Sequence, residues 1–146
     1  MMRLLFIDDE PKYVESVTGI LKESLDVEIV LVQTVRQAIH ELSETKFDLV
    51  VTDIFIPLGK NVREYVGPRA RKYEENLKHL GGLAVLDFLD KMTSPPKILA
   101  HTACTDYALL EVLGEHVIGS VPKPAPVEVL LREIIQALKP PRNWTL

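Results

Sequence analysis

The sequence predicts a doubly wound α/β fold: a five-stranded parallel sheet, in the order 2-1-3-4-5, with helices on both faces. Three observations predict it. Short apolar or β-branched runs of strand length alternate with stretches whose apolar residues recur at helical spacing. Several of those runs stop abruptly in chemistry-bearing residues, above all Asp8-Asp9 and Asp53. The length, 146 residues, suits one domain with a substantial core.

Arg3 to Ile7 reads as a first buried strand ending at Asp8-Asp9-Glu10. Pro11 suits the first turn of a helix, and Val14, Val17, Ile20, Leu21 and Leu25 give that helix an apolar stripe. Val27 to Val32 is a β-branched second strand. Thr34 is a plausible N-cap for a helix marked by Val35, Ala38, Ile39 and Leu42. Phe47 to Thr52 is the third strand, and Pro57 stops any regular continuation beyond Asp53. Leu83 to Met92 is a helix with Leu83, Leu86 and Leu89 or Phe88 inward. Lys97 to Ala100 is a fourth strand, Asp106 to Leu113 a short helix, Val117 to Val121 a fifth strand and Val127 to Leu138 the last helix, stopped by Pro140-Pro141. Right-handed crossovers between parallel strands then give the flavodoxin-like order 2-1-3-4-5. The domain spans 1–139, and 140–146 is a tail in which Trp144 is the residue able to pack back.

One stretch interrupts the pattern. A strand-to-helix loop in such a unit takes about 2–6 residues, yet Leu58 to Gly81 separates the third strand from its helix. This insertion, 58–81, carries six Lys or Arg against three Glu. It is thus +3 in a chain of −4, and the remainder is −7. Arg69 to Leu80 is a candidate polar helix ended by Gly81 and Gly82. Arg69, Arg71 and Lys72, with Tyr65 and Tyr73 as anchors, make the insertion the candidate surface for a downstream partner.

Composition excludes several classes. Hydrophobic residues make up 47% and charged residues 26%, a soluble globular balance. A net charge of −4 does not indicate a nucleic-acid binder. The single cysteine, Cys104, excludes an intrachain disulfide and a cysteine-rich zinc site. No apolar run is long enough to span a membrane, and Met1-Met2-Arg3 leads into too short a run for a secretory signal. The expectation is a cytoplasmic protein with neither a membrane nor a nucleic-acid partner.

The strand ends carry the chemistry. Asp8 and Asp9, Asp53, His101-Thr102-Ala103 and Pro122-Lys123-Pro124 all fall on one edge of the parallel sheet. Carboxylates about 5 Å apart repel by roughly 3 kcal/mol per pair at an effective dielectric of about 20. Such a cluster calls for a cation or for shifted pKa values. Oxygen ligands suit a hard divalent ion, with Mg²⁺ the cellular choice. Lys123 can pair with Asp53 or with a phosphoryl oxygen, and the Thr102 hydroxyl can donate to the same oxygens. Taken alone, Asp53 is equally a strand-capping Asp at a turn.

Ile7-Asp8-Asp9-Glu10, Asp53 with Pro57 four residues on, Thr102-Ala103 and Lys123-Pro124, in this order, resemble the receiver domain of two-component response regulators. The resemblance covers the chain except the insertion and the tail. It implies Asp53 as the phosphoacceptor, and Asp8, Asp9, Asp53 and the Phe55 backbone carbonyl as Mg²⁺ ligands. It implies Thr102 and Lys123 as the groups that bind phosphoryl oxygens. The donor implied is a histidine kinase, a phosphotransfer protein or a small acyl phosphate. It also supports a cis peptide between Lys123 and Pro124, which the small trans preference of X–Pro bonds permits. The protein implied is a phosphoacceptor and not a turnover enzyme. With no output domain after the last helix, the expectation is a stand-alone receiver that signals through protein contact.

The sequence departs from the family pattern at Ser120, where an aromatic residue is usual three positions before the lysine. Gly82 takes the place of the glycine that normally ends a tight loop. His101 reads as a core or rim residue, and Cys104 as either a residue at the site's mouth or a small buried hydrophobe. Two other functions compete: a pseudo-receiver that is never phosphorylated, and a haloacid-dehalogenase-type phosphatase with Asp8 as nucleophile. The second wants an acid two residues after Asp8 that is Asp, where this chain has Glu10.

Overall fold

The computed structural model describes residues 1–58, 81–104, 111 and 117–138. The strands are β1 (Met2–Ile7), β2 (Val27–Val32), β3 (Leu49–Thr52), β4 (Lys97–Thr102) and β5 (Gly119–Pro122). The helices are α1 (Pro11–Ser24), α2 (Val35–Glu44), α3 (Gly81–Asp90) and α4 (Val127–Leu138). All strand pairs are parallel, and the order is β2-β1-β3-β4-β5, as expected. The expected helix at Asp106 to Leu113 lies outside the described residues apart from Glu111. So do the Arg69 to Leu80 helix, nearly all of the insertion, and the tail with Trp144.

Strand alternation divides the core in two. Leu5, Ile7, Val50, Ile98 and Ala100 face α2 and α3, where they meet Val35, Ala38, Ile39, Leu42, Leu83, Leu86 and Leu89. Leu4, Phe6, Leu49, Val51 and Leu99 face α1 and α4, where they meet Val14, Val17, Leu21, Leu130 and Ile134. A strand fed with large aliphatic residues at every position fits only a sheet covered on both sides, which is why these runs do not alternate in polarity.

Some boundaries differ from the sequence reading. Ile20 is 42% exposed, because it lies about 100° round α1 from Leu21 and so falls off the buried stripe. Leu25 is the C-cap, outside the helix proper. β3 starts at Leu49, and Phe47 instead packs as a loop residue in the α2/α3 core. β4 runs on through Thr102, β5 is shifted toward Lys123, and α3 begins at Gly81. Of the two inward candidates in α3, Leu89 is buried and Phe88 only partly so. Thr34 does cap α2: its side-chain oxygen accepts the Gln37 N–H at 3.2 Å.

The exit of β3 is pinned from two sides. Pro57 and Leu58 carbonyls accept the N–H groups of Val35 and Arg36, both at 3.0 Å, satisfying donors in the first turn of α2. Gly81 and Gly82 donate to the carbonyls of Ile56 (2.8 Å) and Ile54 (3.0 Å), so α3 begins against the same loop. Only glycine fits there. A methyl group on Gly82 would overlap the Asp53 carbonyl oxygen and stand 2.6 Å from Ile54 Cα. Backbone cannot yield as a flexible side chain can, so Gly82→Ala should destabilise the fold by roughly 1–3 kcal/mol. Gly19, in the middle of α1, has nothing within 4 Å of its would-be methyl, and Gly19→Ala should stabilise by about 0.5–1 kcal/mol. Urea unfolding midpoints of the two variants should therefore move in opposite directions.

Candidate functional site

The sheet order places β1 and β3 side by side, so Asp8 and Asp53 leave adjacent strand ends. Each carboxylate is first fixed by its own turn. Asp8 Oδ1 accepts the Glu10 N–H at 2.9 Å, and Asp53 Oδ1 accepts the Phe55 N–H at 3.1 Å. Both are the same i to i+2 arrangement that Asp favours at a turn. The second oxygens are thereby left to converge. Lys123 Nζ donates to Asp8 Oδ2 at 2.7 Å and to Asp53 Oδ2 at 2.8 Å. Both aspartates are buried, at 2% and 5% exposure. Asp9 stands at the rim, exposed, and one oxygen from each of Asp8, Asp9 and Asp53 lies within 4.8 Å of the others.

The electrostatics follow from this crowding. Asp9 is held above its usual carboxylate value of 3.8, chiefly by loss of water and then by the charges of Asp8, Asp53 and Glu10. For Lys123, burial is the largest single influence and pushes it down. The hydrogen bonds and charges of Asp53 and Asp8 together outweigh it and hold the ammonium above 10.5. Three carboxylates and one ammonium leave a formal charge of −2, which one divalent cation would match. An all-oxygen donor set fits a hard ion such as Mg²⁺.

A depression of about 350 Å³ opens over this cluster, lined by Asp9, Glu10, Asp53, Phe55, Ala103, Lys123 and Pro124. Phe55 is 37% exposed at its mouth. The Lys123–Pro124 peptide is cis, as expected. Thr102 is not among the lining residues: it is buried, and its Oγ1 accepts the Cys104 N–H at 3.3 Å. Its hydroxyl proton remains available to donate. Cys104 packs in the α2/α3 core, so the small-hydrophobe reading describes it. Ser120 is exposed on β5 and brings no aromatic ring to that position. His101 is buried, with Nδ1 at 3.0 Å from the Val121 carbonyl oxygen.

Three features of the site were not read from the sequence. The Lys123–Asp8 bond is as short as the Lys123–Asp53 bond, yet only the latter was expected. The paired turns at Asp8 and Asp53 had a visible signal, an Asp at the end of each apolar run. The approach of Gly82 to the Asp53 backbone was signalled only by a glycine pair opening a helix, where glycine is otherwise unfavourable.

No family model matches the chain. A curated protein of Sinorhizobium fredii, described as uncharacterized protein y4jS, is 36% identical over 58 residues, 38% of this chain and 14% of that protein. The match thus spans a small part of that longer relative. Among solved structures, the non-phosphorylated HemR receiver domain of Leptospira biflexa superposes with a TM-score of 0.73 at 18% identity, covering 97% of this chain and 98% of that one. A response regulator receiver domain of Clostridium thermocellum gives 0.67 at 19%, covering 94% of each. A two-component response regulator of Clostridium difficile gives 0.62 at 18%, covering 94% and 96%. The chain has the fold of response-regulator receiver domains. Among the described residues, no helix is long and apolar enough to cross a membrane.

The raised pKa of Asp9 has a sign. An acid whose folded pKa lies above its unfolded value destabilises the fold once pH exceeds the unfolded value, and has no effect below it. Asp9→Asn should therefore stabilise the protein at neutral pH, by about 0.5 kcal/mol or less because Asp9 is exposed and screened. The gain should vanish well below 3.8. Urea midpoints of wild type and variant, compared at both pH values, check this.

Proposed function

We propose that the protein is a response-regulator receiver that accepts a phosphoryl group on Asp53. The observation that carries this reading is the Lys123 ammonium bridging Asp8 and Asp53, with Asp9 beside them. One carboxylate is thus held at the floor of an open depression, among the positive charge and oxygen ligands that phosphoryl transfer needs. In this reading an Asp53 oxygen attacks phosphorus in line, an O–P bond forms, and the bond to the donor nitrogen or oxygen breaks with its electron pair leaving on the donor. Lys123 and the Thr102 hydroxyl bind the phosphoryl oxygens. Asp8, Asp9, Asp53 and the Phe55 carbonyl would hold Mg²⁺, which offsets charge on the transferring group when bound. Water later hydrolyses the acyl phosphate, so the chain is a phosphoacceptor and no turnover enzyme.

The proposed donor is a histidine kinase or phosphotransfer protein, which places the protein in the cytoplasm. The proposed organisation is one receiver domain, 1–139, with an insertion at 58–81 that meets a downstream protein, followed by a tail at 140–146. The exposed Ser120 favours one second reading: a pseudo-receiver with this fold and no phosphorylation, since the aromatic partner of the Thr102 switch is missing.

Intact-mass measurement after incubation with acetyl phosphate and Mg²⁺ separates the readings. The expected result is one phosphoryl adduct per chain, dependent on Mg²⁺, absent in Asp53→Asn and lost in Asp9→Ala. No adduct on the wild type would favour the pseudo-receiver, and labelling of Asp8 with turnover would favour the phosphatase.

A further inference from the structure

The register sets Ala100 against Ser120, His101 against Val121 and Thr102 against Pro122. Proline has no N–H to give to the ladder. In a parallel ladder the residue facing Thr102 turns its own N–H position to the outer edge, and the Thr102 carbonyl takes the N–H of the next residue, Lys123, at 3.0 Å. The ladder therefore runs on in constant register to Lys123, the side chain on which the site depends. The side chain of His101 adds a hold on this strand end beyond the main-chain ladder, with Nδ1 at 3.0 Å from the Val121 oxygen.

We propose that His101 is a positioning residue: its imidazole holds the end of β5 at Val121 and so aims Lys123 at Asp8 and Asp53. A carbonyl oxygen only accepts, so Nδ1 carries the proton in this contact. Burial, above all, lowers the pKa of His101 below 6.5, and the nearby Lys123 charge acts the same way. The ring therefore stays neutral with its proton on Nδ1. Its exposure is 1%, so water does not compete for the bond. An aliphatic residue could fill the same place in β4, as Leu99 does two residues earlier, but would offer no donor to Val121.

The geometric role stands whatever the site transfers; its consequence for phosphorylation rests on the function proposed above. Leu and Asn are close in shape, and Asn can place an amide N–H near the position of Nδ1. His101→Leu and His101→Asn thus share the branching at Cγ and differ in the donor. Each protein is treated with a trace of acetic anhydride, and acetylation of each lysine is read by peptide mass spectrometry. An amine reacts only when deprotonated and accessible, so wild-type Lys123 should react far more slowly than the exposed Lys46. In His101→Leu its rate should rise about tenfold, the scale of one buried hydrogen bond lost. In His101→Asn it should fall back toward wild type.

Lys97, whose Nζ donates to the Ala137 carbonyl at 3.0 Å, reports on the fold at the far end of the sheet and should not change. Acetyl phosphate labelling should follow the same order, low in Leu and restored in Asn. The proposal is overturned if Leu leaves Lys123 as shielded as in wild type. It is overturned too if Leu and Asn expose it equally, or if Lys97 rises along with it. A wild type that takes up no phosphoryl group would defeat the proposed function, while the acetylation rates would still decide the role of His101.

Discussion

The ammonium of Lys123 lies between two buried carboxylates, and the upper edge of the sheet is arranged to allow it. Asp8 and Asp53 sit on neighbouring strands, while Lys123 comes from β5, beyond β4. Its long side chain must cross β4 to reach both. Without that charge, Asp8 and Asp53 would be two desolvated anions facing each other, a state that proteins avoid by pairing or protonation. With it, the site still has an acidic excess, which a divalent cation would match. The same bond set pairs two buried charges and leaves that excess in place.

Local turn chemistry decides which oxygens are available. Asp8 and Asp53 each spend Oδ1 on a backbone N–H two residues ahead. The Asp at each strand end thus closes its turn with one oxygen and meets Lys123 with the other. The described residues on either side of 59–80 also support this arrangement. They are fixed by main-chain bonds, Leu58 to Arg36 on one side and Gly81 to Ile56 on the other, and Gly82 lies against the Asp53 carbonyl. The Asp53 peptide is therefore held by backbone on both sides, with Leu58, Gly81 and Gly82 part of that support.

Much of this was legible in the sequence, for physical reasons that can be named. β2 and α4 were read with the bounds they have, and α2 with its cap and buried stripe, because β-branched runs and a helical apolar stripe leave little choice of period. The strand-end residues of the site were legible because a parallel sheet brings its carboxyl ends together. What escaped were features that depend on the third dimension. Ile20 carries an apolar side chain at the margin of a helical stripe, and spacing alone does not show where the margin falls. The Lys123–Asp8 bond depends on β5 lying across β4 from β1. His101 looked like any core histidine, since its partner is a main-chain carbonyl that no sequence pattern reveals. Thr102 was read correctly as a strand-end hydroxyl, but its burial and its bond to the Cys104 N–H follow from β4 running on to that residue.

The central claim is that Asp8, Asp9 and Asp53 hold more negative charge than Lys123 balances, and that a divalent cation fits the remainder. The direct measurement is the free energy of unfolding in urea as Mg²⁺ is raised at constant ionic strength. A ligand that binds only the folded state adds about 1.4 kcal/mol for each tenfold increase beyond its dissociation constant. The account predicts that rise in the wild type and its loss in an Asp8→Asn, Asp9→Asn double variant. A stability that stays flat as Mg²⁺ increases, or that rises equally in the double variant, would contradict it.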